Sequence, residues 1–123
     1  MAIPSGGGTE VLKSTYMVGL DDTVRTFIST SSTQIATLIS ITFESDNGNT
    51  AETVSMYIDC GRDSVSGAAG AESFLIKTQS IGAYETFVFS DKVVLYGGDV
   101  LKAYATGGGD FDVVCSYILQ DWT

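Results

Sequence analysis

The chain has 123 residues, a length that suits a single domain with its own hydrophobic core. Six lysine and arginine residues face 15 aspartate and glutamate residues, so the net charge is −9. The basic residues are scattered singly and such a surface repels phosphate groups, so we expect neither nucleic acid nor an anionic membrane face as a partner. No apolar run reaches the roughly 18 residues of a membrane-spanning helix, and residues 1–8 lack the pattern of a secretion signal.

The first nine residues are predicted to form an N-terminal arm, and residues 10–123 a β-sandwich domain. Three consecutive glycines, Gly6–Gly8, have high chain entropy, and Pro4 cannot donate a backbone hydrogen bond. This segment therefore forms neither a helix nor a regular strand, while Ile3 gives it an apolar tip. The arm either becomes ordered on a neighbouring surface, which we favour, or is a flexible end.

Beyond the arm, β-like segments alternate with clusters of turn residues such as Asp21–Asp22 and Asp46–Asn49. The predicted strands, in chain order, are Glu10–Met17, Thr23–Ser29, Gln34–Glu44, Glu52–Cys60, Ser73–Gln79, Tyr84–Phe89 with a short continuation at Val93–Tyr96, Val100–Ala105 and Phe111–Leu119. About eight short strands without a helical stretch predict an all-β fold, a single antiparallel β-sandwich of jelly-roll type with the extended N-terminal arm.

Alternation of apolar and polar residues predicts which side chains face the core. In the third predicted strand, Ile39, Ile41 and Phe43 are expected to share one face. The corresponding sets in the fourth and the last strand are Val54, Met56, Ile58 and Cys60, and Phe111, Val113, Cys115, Tyr117 and Leu119.

Cys60 and Cys115 both fall on apolar strand faces in a chain without a recognisable secretion signal. A reduced, buried thiol is the usual state of such a cysteine. We therefore expect two free thiols and no disulfide.

The residue types limit the chemistry that the chain can carry. It has no histidine, which excludes the Ser-His-Asp and Cys-His nucleophile systems and most zinc sites. Asp46–Asn49 is similar to part of a calcium loop but lacks the later bidentate glutamate, so a hairpin turn is expected there. A carboxylate pair such as Asp110 and Asp112 is not favoured as a glycosidase centre in a small sandwich with short loops. We therefore predict no catalytic residues, no metal and no cofactor.

Four aromatic residues lie close together in the sequence, and core packing is expected for most of them. They are Tyr84, Phe87, Phe89 and Tyr96. The alternative is a platform on which sugars or a partner stack. Trp122, the single tryptophan, either ties the C-terminus down or anchors an interface.

Both ends of the chain carry distinctive strings. Residues 2–13 read AIPSGGGTEVLK and residues 116–123 read SYILQDWT, with FVFSDK at residues 87–92 and GDVLK at residues 98–102 between them. These segments resemble a group of small virion structural proteins of tailed bacteriophages, mainly marine ones. The resemblance implies a place in the virion, assembled in the host cytoplasm, and brings no catalytic residues with it.

The sequence therefore predicts a non-enzymatic phage virion protein that decorates and stabilises the capsid through contacts between subunits. The expected partners are the major capsid protein or other virion proteins, together with further copies in a symmetric homo-oligomer. The predicted contact residues are Ile3, Pro4, Val11, Tyr117 and Trp122. The alternative is a tail or fibre domain that binds host-surface carbohydrate through loop tyrosine and aspartate residues, and a carboxylate hydrolase comes third.

Overall fold

The computed structural model describes residues 9–60, 65–67 and 70–121, and these form nine β-strands. The strands are β1 (Thr9–Leu20), β2 (Arg25–Ser29), β3 (Gln34–Ser45), β4 (Glu52–Asp59), β5 (Glu72–Ile81), β6 (Thr86–Phe89), β7 (Val93–Tyr96), β8 (Val100–Ala105) and β9 (Phe111–Asp121). The predicted arm contacts Ile3 and Pro4, and Trp122 at the other end, lie outside the described residues.

The strands form two antiparallel sheets. One sheet has five strands in the order β1-β9-β3, after which β6 and β7 both pair with the far edge of β3. The other sheet has four strands in the order β2-β8-β4-β5. The predicted all-β antiparallel sandwich is confirmed, with β6 and β7 as separate strands where the sequence indicated one strand and its continuation.

The chain crosses repeatedly from one sheet to the other. It stays within a sheet only at the β4–β5 and β6–β7 connections. Counting β6 and β7 as one interrupted strand gives eight strands in two four-membered sheets, which is the jelly-roll arrangement. Among the described residues no helix is long and apolar enough to cross a membrane.

The core lies between the two sheets and is built by the alternation of the longer strands. On β9, Phe111, Val113 and Cys115 are buried, and Tyr117 and Leu119 pack against the core, as the sequence predicted. The largest fully buried side chains are Phe43, Phe111, Leu20, Ile28, Leu38, Ile41, Met56, Leu95, Leu101, Val54, Val113 and Cys115.

Two local predictions are wrong in detail. The pairing of β3 with β9 shifts register between Leu38 and Ser40, so Leu38 and Ile41 both face the core and Ile39 does not belong to it. This β-bulge inserts one residue and resets the two-residue period. The Asp46–Asn49 turn is also not a hairpin, because β3 and β4 lie in different sheets.

Both cysteines are free. Cys115 is buried in the core, and this burial raises the pKa of its thiol to about 12. Cys60 is half-buried at the end of β4, where its Sγ lies 3.4 Å from the carbonyl oxygen of Ala71.

We expect the two thiols to differ sharply in reactivity, because thiolate is the reactive form and access is needed. In the folded protein, iodoacetamide should modify Cys60 and leave Cys115 untouched, whereas unfolded protein should take two labels. Mass spectrometry of the intact chain measures this. Equal labelling of both thiols in the folded state, or failure of either to label after unfolding, contradicts the prediction.

Candidate functional site

The side of the five-stranded sheet that faces away from the core, here called the outer face, carries an unusual number of apolar side chains. Cross-strand register places these residues on one surface. They are Leu12, Tyr16 and Val18 on β1, Val114 and Ile118 on β9, Val88 on β6, and Val94 and Tyr96 on β7.

Several of these side chains are far more exposed than the apolar residues of a buried sheet face. Val18 is 83% exposed, Tyr16 71% and Leu12 70%. On the opposite edge of the sheet, Val88 and Val94 are each 53% exposed. Single exposed apolar residues are ordinary, but a group of them on one face marks an interaction surface.

The middle of the outer face is uncharged. One row across the sheet consists of Ser14, Ser116 and Ser40, paired directly with one another. The rows on either side contain Thr37 and Thr42 among apolar residues. Among the paired strand residues, charged side chains occur only in the two end rows, with Glu10 at one end and Glu44 and Asp112 at the other. Asp91 and Lys92 lie at the margin, in the β6–β7 connection.

The outer side of the four-stranded sheet is different, because its aromatic rings pack against one another and charged side chains lie over or beside them. Tyr57 is only 6% exposed, and its ring centroid lies 5.0 Å from that of Phe74 and 6.4 Å from that of Tyr104. Lys77 Nζ lies 4.1 Å from the centroid of the Phe74 ring. Lys102 Nζ forms an ion pair with Asp59 at 3.0 Å, so charged side chains contribute to the described part of this face.

One end of the sandwich collects carboxylates from four connections and the adjoining strand ends, and we call it the acidic end. Backbone hydrogen bonds hold these connections together, including Asp46 N to Asp110 O and Ser45 N to Glu85 O. Arg25 is the basic residue that the described part of the chain places there. The carboxylates are those of Asp21, Asp22, Glu44, Asp46, Glu52, Glu85, Asp110 and Asp112.

Three of these carboxylates form a tight group, with Glu44 and Asp112 directly opposed across β3 and β9. One oxygen each from Glu44, Asp46 and Asp112 lies within 4.8 Å of the others. A hydrogen bond with the Asp46 carboxyl group, then burial, raises the pKa of Glu44. Burial, then the hydrogen bond with Asp46, raises the pKa of Asp112. Oxygen donors of this kind could hold Ca²⁺ or Mg²⁺; without an ion the group is a source of repulsion.

A second acidic pair lies beside this group. Burial raises the pKa of Glu52, and the neighbouring Asp110 raises it further. Asn47 opposes this effect, because its Nδ2 donates a hydrogen bond of 2.6 Å to Glu52 Oε1. The Asn47 side chain also orders its own turn, since its Oδ1 accepts a hydrogen bond from Asn49 N at 2.8 Å. The turn residues therefore fix the shape of the acidic end.

The raised pKa values of Glu44 and Asp112 give a pH dependence whose sign is opposite to ordinary acid denaturation. A carboxyl group with a higher pKa in the folded chain binds its proton more tightly there, so the fold gains stability as pH falls. We expect the melting temperature to rise as pH falls from 7 toward the ordinary pKa values of these groups, 4.5 for Glu44 and 3.8 for Asp112. Asp21 has the opposite effect on stability. The hydrogen bond from the Thr23 backbone N–H lowers the pKa of Asp21, so the fold loses this contribution to stability as pH falls below the usual pKa of 3.8.

Asp112→Asn tests this effect directly. We expect the substitution to raise the melting temperature at pH 7 by about 1–5 °C and to flatten its pH dependence. Asp22→Asn is the control, since this exposed residue lies outside the group of three. A melting temperature that falls in Asp112→Asn, with the pH slope unchanged, contradicts the repulsion.

The residues predicted from sequence as contacts are placed unequally. Tyr117 turns toward the core on β9 and is half-buried. Val11 lies opposite Leu119 on the same side of the sheet and is 47% exposed. Of the aromatic residues weighed as a platform, Phe87 and Phe89 pack against the core, while Tyr84 is 72% and Tyr96 39% exposed.

Sequence reasoning missed the outer face and the group of three carboxylates. The only advance signal for the face is that Leu12, Tyr16 and Val18 share one side of β1, where Ser14 is the polar exception. The group of carboxylates depends on the register of β3 against β9, which the sequence does not display.

No family model matches the chain, and no curated protein matches its sequence. Solved structures do match its fold. The infectious bursal disease virus particle of T13 symmetry contains a chain that superposes with a TM-score of 0.58 at 8% identity, covering 96% of this chain and 32% of that one. VP2 in the subviral particle of the same virus gives a TM-score of 0.56 at 10% identity, covering 94% and 33%. A protein of the disulfide-linked pili on Bacillus endospores gives 0.51 at 16% identity, covering 100% and 97%.

The chain therefore has a jelly-roll fold similar to that of viral capsid proteins. It spans about a third of the length of the viral chains that it matches and nearly all of the pilus protein. At identities of 8–16% the shared property is the fold.

Proposed function

We propose that this chain is a non-enzymatic structural protein of a phage virion, which decorates the capsid and stabilises it through contacts between subunits. The observation that supports this most is the uncharged, apolar outer face on a jelly-roll sandwich. Burying a side chain such as Leu12 or Val18 contributes roughly 1.5–3 kcal/mol. In a symmetric particle the same contact recurs at every copy, so modest contacts add up.

The two distinctive surfaces fit two kinds of partner. The outer face suits an uncharged surface, and the acidic end suits a basic patch on the major capsid protein or another virion protein. Five further residues remain proposed contacts with other virion subunits. They are Ile3 and Pro4 in the arm, Val11 on β1, and Tyr117 and Trp122 near the C-terminus. The proposed location is the virion, assembled in the host cytoplasm.

Removal of residues 1–8 tests the decorating role. The strand β1 begins at Thr9, so the sandwich of the truncated chain should keep its circular dichroism spectrum and melting temperature. Binding to shells of the parent phage, measured by co-sedimentation, should weaken at least about tenfold, which is about 1.4 kcal/mol. Unchanged shell binding would show that the arm makes no contact, and no binding by the full chain would contradict the decorating role itself.

The alternative function, a tail or fibre domain that binds host carbohydrate, is favoured by one feature of the acidic end. Tyr84 is 72% exposed, and its backbone N donates a hydrogen bond to the Asn47 carbonyl oxygen at 3.2 Å. An exposed ring beside amide and carboxylate groups suits a sugar. Saturable binding on a glycan array, lost in Tyr84→Ala, would favour this function over decoration.

A further inference from the structure

We propose that the outer face packs against the same face of a second copy of this chain, related by a two-fold axis. This inference rests on the proposed structural role and names the partner of its main surface. It concerns Leu12, Tyr16 and Val18 at one margin of the face, and Val88 and Val94 at the other.

Charge points to a second copy as the occupant. Each copy carries a net charge of −9, so two copies approach most readily where carboxylates of one copy do not meet carboxylates of the other. The paired strand residues of the three middle rows meet this condition, since they are serine, threonine and apolar residues alone. A basic partner would gain more from the acidic end than from this uncharged surface. The outer face is therefore suited to a partner of like charge.

The size of the face is sufficient for a stable dimer. It is four strands wide and five rows long, so strand and residue spacings give a flat area of about 650 Å². Two such faces bury about 1,300 Å² together, which exceeds the roughly 1,000 Å² expected of a specific interface. The serine row at the centre also permits the close approach, about 10 Å, of two packed sheets.

The end charges select the direction of packing. A two-fold axis in the interface and parallel to the strands would place Glu44 and Asp112 over the same residues of the other copy. A two-fold axis that lies in the interface but runs perpendicular to the strands places Glu44 and Asp112 over the opposite end row of the other copy. That row contains Gln120, Ile35 and Tyr96 besides Glu10. The second arrangement separates the like charges, so we infer that the two copies pack with the acidic ends apart.

The test uses charged substitutions at both margins of the face and an equally exposed control. Tyr16→Glu and Val88→Glu should each weaken self-association at least about tenfold, as sedimentation equilibrium measures it. Tyr84→Glu is the matched control, because Tyr84 is 72% exposed against 71% for Tyr16 and lies off the face. It should change the dissociation constant by less than about twofold.

Each other outcome overturns the proposal in a recognisable way. Loss of association in Tyr16→Glu alone would indicate strand pairing through the free edge of β1 in place of face packing. An equal loss in Tyr84→Glu would indicate general charge repulsion. A chain that stays monomeric at all concentrations would exclude the second copy, while shell binding by that monomer would leave the proposed function standing.

A cross-link keeps the proposal testable if a charged variant unfolds. Ser116 lies in the middle row on β9, so Ser116→Cys in a Cys60→Ser background should form a disulfide with the same position of the second copy when dissolved oxygen is supplied as the oxidant. Cys115 can stay, because it is buried with a raised thiol pKa. Thr26→Cys, exposed on β2 of the other sheet, is the control and should not cross-link. A Ser116→Cys variant that associates but does not cross-link would contradict packing through this face.

Discussion

Replacing Phe43 by alanine is expected to lower the free energy of unfolding by about 3–5 kcal/mol. Phe43 is fully buried on β3, and its register partners are Val113 on β9 and Phe87 on β6. Removing the ring opens a cavity where three strands of the five-stranded sheet meet the other sheet. Chemical denaturation followed by circular dichroism measures the loss, which is a large part of the roughly 5–15 kcal/mol of a typical domain.

Tyr84→Ala provides the control for this prediction. It removes an aromatic ring of similar size that is 72% exposed, so it should cost less than about 1 kcal/mol. Comparable losses in the two variants would mean that the space around Phe43 is not a close-packed core, and the described arrangement of the sheets would then be wrong.

Gly19→Ala is expected to destabilise the fold by about 2–3 kcal/mol, for two reasons that add. The backbone of Gly19 has φ = +81°, a conformation that disfavours any residue with a Cβ. An added Cβ would also lie 3.2 Å from the carbonyl oxygen of Gly109, a backbone atom that cannot turn away. This contact sits at the register shift between Val18 and Leu20, beside the acidic end.

Two other glycines separate these causes. Gly98 has φ = +102° with open space around it, so Gly98→Ala should show the backbone cost alone, about 1–2 kcal/mol. Gly108 also faces open space and has no positive φ, so Gly108→Ala should change stability by less than about 0.5 kcal/mol. If all three alanine variants unfold at the same denaturant concentration, neither the strain nor the close approach at Gly19 is real.

The features that could be predicted from the sequence are those that depend on the residues of a single strand or turn. On β9, every second residue from Phe111 to Leu119 is apolar, and the structure places this set toward the core. The Asp21–Asp22 turn could also be predicted, because an aspartate side chain can accept a hydrogen bond from the backbone N–H two residues later. In the structure Asp21 Oδ1 accepts such a bond from Thr23 N at 2.9 Å.

The features that could not be predicted from the sequence depend on which strands pair and in which register. The bulge at Ile39 breaks the two-residue period of β3, and nothing in the local composition marks it. Both sides of β1 carry apolar side chains, so the alternation pattern does not predict which side faces the core. Tyr16 and Val18 face solvent, whereas Leu20 is buried. The opposed pair of Glu44 and Asp112 requires knowledge of two strands that are far apart in the chain.

These hidden features are also the ones that carry the proposed function. Stability comes from the two inner faces, which the sequence encodes by alternation wherever no bulge interrupts the strand. In the proposed assembly, the contacts depend on the apolar side chains of one outer face, and this face emerges only when β1, β9, β3, β6 and β7 are placed side by side. Phe43→Ala should therefore impair folding, whereas Tyr16→Glu should impair assembly and leave the melting temperature nearly unchanged.

A cryo-EM map of the parent virion tests the virion role most directly. We predict that the nine-stranded sandwich occupies repeated, symmetry-related positions on the capsid surface, with the outer face of its five-stranded sheet covered by a second copy. Absence of the sandwich from the particle, or its presence only on the tail with the loops of the acidic end directed outward, would contradict the decorating role.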